Sequence, residues 1–124
     1  MSGRDEPKTR STICEPLGAA LPEFDTEIAD HLNTYGECLD HVLFGDLTRF
    51  LLAAAREGDW PLVRRGLTFL EGTMMSGDPY LENLVAASFI ENLSPWHTPN
   101  VEPLPKGFVE CLPPHLAHSR ARRS

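Results

Sequence analysis

Cysteine, histidine and glutamate are the residues of this chain whose types and spacing could do chemistry. Cys38 and His41 stand three apart, where a thiol and an imidazole can share one helical face as a nucleophile and its base. His31 precedes them closely enough to suggest a metal cluster, and Cys111-x3-His115-x2-His118 is a second such set near the C-terminus. Zinc takes four protein ligands in a structural site and three plus a water in a catalytic one, usually with a tighter cysteine pair than either set offers. Neither set completes a site, so no metal and no cofactor is expected. The chain also lacks a G-x-S-x-G elbow, a phosphate-binding glycine loop and a dinucleotide fingerprint. No catalytic residue is assigned, and the sequence reads as a non-enzyme.

Two glutamates sit in matching contexts, Phe69-Leu70-Glu71 and Phe89-Ile90-Glu91, each closing an apolar run with a carboxylate. If their helices pack face to face, both carboxylates lie at the edge of the core, placed to cap other backbone groups or to pair with Arg64 or Arg65. A structural role is expected for both. Of the two tryptophans, Trp60 falls on an apolar stripe and is expected in the core, whereas Trp96 is expected to be semi-exposed and available as an interface anchor.

The elements that must hold these residues are helices. Gly58-Asp59-Trp60-Pro61 and Gly77-Asp78-Pro79 repeat one punctuation: a glycine to close a helix left-handed, an aspartate to cap the next, and a proline in the first turn. Between the marks Trp60, Val63, Leu67, Leu70 and Met74 recur at helical steps, and after the second mark Leu81, Leu84, Val85, Phe89 and Leu93 do the same. Leu39 to Glu57 is apolar over more than one face, with Leu43, Leu47, Phe50, Leu51 and Ala54 in register, and is expected to be the central helix. Upstream, Leu17, Leu21, Phe24, Ile28 and Leu32 form a stripe in which Pro22 starts the main helix and Tyr35-Gly36 ends it. The expectation is an all-α fold, a four-helix bundle or stacked αα-hairpins, with a proline-rich C-terminal extension. Residues 1–12 are expected to be a disordered N-terminus, 13–110 a single helical domain including a packed extended segment over 94–110, and 111–124 a basic flexible tail.

A chain of 124 residues with 41% apolar side chains fits one globular domain. No apolar run approaches the roughly 20 residues that span a bilayer, and the charged start MSGRDEPKTRST has no apolar run behind it, so neither a membrane span nor a secretory signal is expected. Three widely spaced cysteines argue against a disulfide framework and fit a reducing, cytoplasmic setting. The net charge of −7 understates the asymmetry: from Ile13 to Leu104 four arginines face fifteen carboxylates, a balance of −11 with histidine neutral. Such a field repels nucleic acid and attracts basic proteins.

The stretch GDWPLVRRGLTFLE followed by SGDPYLENLVAASFIENL resembles the signature of a bacterial family of small, uncharacterised all-helical proteins, which are similar to the immunity partners of secreted polymorphic toxins. Phe69-Leu70-Glu71, Asn83 and Glu91 carry the match, which covers Leu39 to Leu93 and leaves the proline-rich extension outside it. The resemblance implies a protein-binding module, most simply an immunity protein that neutralises a cognate toxin by direct binding. A basic toxin domain would then meet the acidic body. Asp25, Glu27, Asp30, Glu37, Asp40 and Asp46, which crowd the first half of the chain largely off the apolar stripes, are the expected contacts, with Trp96. The alternative is a structural or adaptor subunit of a larger assembly.

Overall fold

Local chemistry sets several of the helix boundaries. The computed structural model describes residues 13–93 and 104–123, and within them the chain is all-α with no strand. In chain order the helices are α1 (Cys14–Ala20), α2 (Asp25–Tyr35), α3 (Asp40–Arg56), α4 (Trp60–Met74), α5 (Pro79–Val85) and α6 (Pro114–Arg123). The two Gly-Asp marks act as expected. Gly58 and Gly77 take φ of 82° and 89°, where a side chain would be strained. Asp59 and Asp78 then cap α4 and α5, accepting from the Leu62 N–H at 3.4 Å and the Tyr80 N–H at 2.9 Å.

The helix expected to start at Pro22 is divided. Pro22–Phe24 forms a separate 3₁₀ turn after Leu21 leaves helical geometry, and α2 begins at Asp25. Leu17, Leu21 and Phe24 are nonetheless fully buried, because the bends carry the apolar stripe around the outside of α3 and α4. Leu32 is the stripe member left out, 39% exposed.

The core centres on α3 and α4. α3 buries Leu43, Phe44, Leu47, Leu51 and Leu52, a wide face consistent with its central position. α4 lies close against it at Gly66, where an added Cβ would come within 2.6 Å of a Leu51 methyl. Trp60 is half-buried against this core. α5 does not run straight to Leu93. It widens into a π-helical turn over Ala86–Ile90 and tightens into a 3₁₀ turn over Glu91–Leu93, which still seats Phe89, Ile90 and Leu93 in the core.

The largest departure from expectation is at the C-terminus. Leu104 to Cys111 does pack on the bundle, with Phe108 fully buried and its ring 6.5 Å from that of Phe89. The expected flexible tail is instead a helix, α6, with Leu116 fully buried. Proline density stops a helix in progress, but Pro114 is also the first residue of α6, where its missing N–H costs nothing. Residues 1–12 and Trp96, for which disorder and partial exposure are expected, lie outside the described residues.

Candidate functional site

The predicted contact acids separate into three environments. Asp25, Glu27 and Asp30 are exposed on α2, and Glu37 is exposed in the link to α3. Asp46 is half-buried on α3 and pairs with Arg49 one turn on. Asp40 is a correction, since it is only 5% exposed and faces inward. Its carboxylate accepts from the Tyr80 hydroxyl at 2.6 Å and from the Cys38 thiol at 3.2 Å. A carboxylate in the first turn of a helix reads in sequence as a solvated capping residue; Tyr80, 40 residues away in α5, helped draw this one inside.

Asp40 belongs to a polar seam that holds the α2–α3 link. His31, 3% exposed, accepts from the Leu39 N–H through Nε2 at 2.9 Å, and its ring lies 4.8 Å from that of Tyr35. The other ring nitrogen, Nδ1, is buried and has no hydrogen-bond partner among the described residues. The half-buried Cys14 thiol is the neighbour that bears most on Cys38 after burial itself. Burial, followed by the neighbouring Cys14 and Asp40, pushes the Cys38 thiol well up, and burial raises Cys14 too. Both thiols stay protonated at neutral pH and are poor nucleophiles.

Cys38 and His41 are therefore not a catalytic pair. His41 turns the other way and shares a 2.6 Å hydrogen bond with the Ser88 hydroxyl. A serine beside a histidine has the composition of a nucleophile and its base, but Ser88 is 4% exposed inside the π turn, and no substrate carbonyl could reach it. Its own carbonyl is taken up structurally. The Thr48 hydroxyl lies 2.8 Å from Phe44 O and 3.2 Å from Ser88 O, so it serves a main-chain oxygen in the irregular turn as well as one in its own helix. His41 and Thr48 together tie the π turn to α3.

Glu71 is placed as its sequence context suggested, at the core edge and capping backbone. One oxygen, Oε2, accepts from the His115 N–H at 3.0 Å and meets His115 Nδ1 at 2.9 Å; the other, Oε1, accepts from the Leu116 N–H at 3.0 Å. Burial works against ionisation here, yet the His115 and Leu116 donors outweigh it and hold the carboxyl below its ordinary range. What sequence could not show was whose amides it caps, because Glu71 and His115 are 44 residues apart. Arg65, the other expected partner, instead makes a two-bond pair with Glu23 at 3.0 and 2.5 Å. Glu91 is half-buried at the 3₁₀ turn.

With Glu71 as its cap, α6 forms one wall of a cleft of about 400 Å³ whose opposite wall is α5. Cys111 does not line this cleft, whereas His115 and His118 do. Among the described residues no three of His, Cys, Asp and Glu gather closely enough to hold a metal ion, and no helix is long and apolar enough to cross a membrane.

No curated protein and no solved structure matches this chain. One family does, over residues 14–123, so its pattern takes in α1, α2 and the proline-rich extension as well as the central helices whose signature carried the resemblance. Over nearly its whole length, from α1 to the end of α6, the chain belongs to the family described as domain of unknown function DUF7674.

Proposed function

We propose that this chain is a protein-binding module that presents α2 and the link after it to a basic protein partner. One observation carries the reading: α2 buries only Ile28 and His31, leaving its other nine residues exposed, Asp25, Glu27 and Asp30 among them. A helix held by two side chains and otherwise given to solvent is available for contact. Leu32 and Tyr35, 39% and 48% exposed in its last turn, add apolar surface beside the carboxylates. The stretch from Ile13 to Thr48 itself contains no lysine or arginine, although Arg65 of α4 reaches back to pair with Glu23. The finer form of the proposal is an immunity protein whose partner is a basic toxin domain; its support is the sequence resemblance together with this charge pattern. Asp40 has no place in the contact set.

The test is affinity capture from the native organism with elution by rising salt, comparing the parent with the quadruple variant D25N/E27Q/D30N/E37Q. The expected result is a basic protein retained at low salt, released as salt rises, and lost from the variant. Retention of the same partner by the variant with unchanged salt dependence defeats the acidic-face reading. A stable multi-subunit assembly that resists salt favours an adaptor role instead.

A further inference from the structure

The cleft between α5 and α6 plays no part in the reading above, and its two walls are built alike. On α6 the lining residues His115, His118, Ser119 and Arg122 fall at positions i, i+3, i+4 and i+7, the spacing of a single helical face. On α5, Glu82 and Asn83 lie between Pro79 and Ala86 at the same spacing. Two helices that meet along such stripes ordinarily close over apolar side chains. Here the α6 stripe is polar and the α5 stripe mixes polar with apolar groups, and they leave a volume of about 400 Å³, within the range of small-molecule sites.

The chemistry of the walls is complementary in sign. α6 carries no carboxylate along its length and brings the permanent guanidinium of Arg122 together with two imidazoles. α5 brings the Glu82 carboxylate and the Asn83 carboxamide. One imidazole is fixed in place: Glu71 holds His115 at Nδ1, and Nε2 has no hydrogen bond among the described residues. Met74, Pro79 and Ala86 contribute the apolar part of the lining. A cation on one wall and an anion on the other suit a molecule charged oppositely at its two ends.

We propose that the α5–α6 cleft binds a small zwitterion of amino-acid or dipeptide size, its carboxylate on Arg122 and His118 and its ammonium group on Glu82 and Asn83. This site is separate from the α2 face, and its occupancy does not depend on a protein partner.

The experiment is a ¹H–¹⁵N NMR titration of the full chain with each L-amino acid, with a set of Gly-X dipeptides, and with inorganic phosphate as an anion control, repeated on R122Q and E82Q. Arg122 and Glu82 are both exposed, so the two variants are expected to fold, which their amide spectra report directly. The proposal expects saturable shifts confined to α5 and α6 with at least one zwitterion, and a dissociation constant raised about tenfold or more in each variant, the loss of one charge-assisted bond. Absence of saturable shifts with every zwitterion overturns it, as does binding unchanged in either variant. The same shifts produced by phosphate alone also overturn it, because the Glu82 wall would then contribute nothing.

Discussion

At the residue scale the informative groups are two carboxylates with the same side-chain chemistry and different settings. Glu71 joins α4 to α6 through three hydrogen bonds, all of them to His115 or Leu116. Its carboxyl is held below the ordinary range, so it stabilises the fold above the unfolded carboxylate pKa, and that contribution is lost as pH falls through the folded value. Glu71→Gln is expected to cost about 1–2 kcal/mol at neutral pH, and its difference from the parent should shrink between about pH 5 and 3, as read by urea unfolding across that range. Asp40 receives a hydroxyl and a thiol in a buried seam. Asp40→Ala removes the acceptor shared by the Tyr80 hydroxyl and the buried Cys38 thiol and should cost about 2–3 kcal/mol, whereas Tyr80→Phe removes only one bond and should cost about 1 kcal/mol. Equal losses for the two variants would mean that the seam rests on the tyrosine alone.

At the element scale, α6 and the α3–α4 contact decide the architecture. α6 follows a proline pair and carries a basic sequence, features that by themselves describe a tail. Leu116 and the Glu71 cap turn it into a packed helix. Leu116→Ala is expected to destabilise by about 2–4 kcal/mol, and hydrogen exchange should show protection lost first along α6. At the α3–α4 contact an added Cβ at Gly66 would run into the side chain of fully buried Leu51. Gly66→Ala gains helix propensity but forces that contact apart, for a net loss of about 1–2 kcal/mol in thermal or urea unfolding. Gly72, on the same helix with nothing within 4 Å of an added Cβ, supplies the control: its alanine variant should be neutral or stabilising. The helix starts at Trp60 and Pro79 were legible because cap and proline lie within two residues of each other in sequence. The π turn within Ala86–Ile90 was not, because its support comes from Thr48 and His41 on another helix.

At the scale of the whole molecule, the net charge of −7 makes the acidic body repel itself. Raising salt from about 10 to 200 mM should therefore raise the melting temperature by about 2–5 °C, and D25N/E27Q/D30N/E37Q should reduce that gain. An unchanged gain would place the repulsion elsewhere in the chain. By itself the sequence determined the helical class, the two Gly-Asp boundaries, the apolar faces of α3 and α4 and the sign of the surface, since each follows from neighbours within a turn or from composition. Tertiary structure decided what distant partners control. It buried Asp40 beneath Tyr80 and drew Cys38 away from His41 into the same seam. It also folded the basic end into α6 through an amide cap supplied from α4. The physical reason is shared: desolvating a polar group is favourable only where its partners are already waiting, and the decisive ones, Tyr80 for Asp40, Ser88 for His41 and Glu71 for α6, stand some 40 residues away in sequence, beyond the reach of any local pattern.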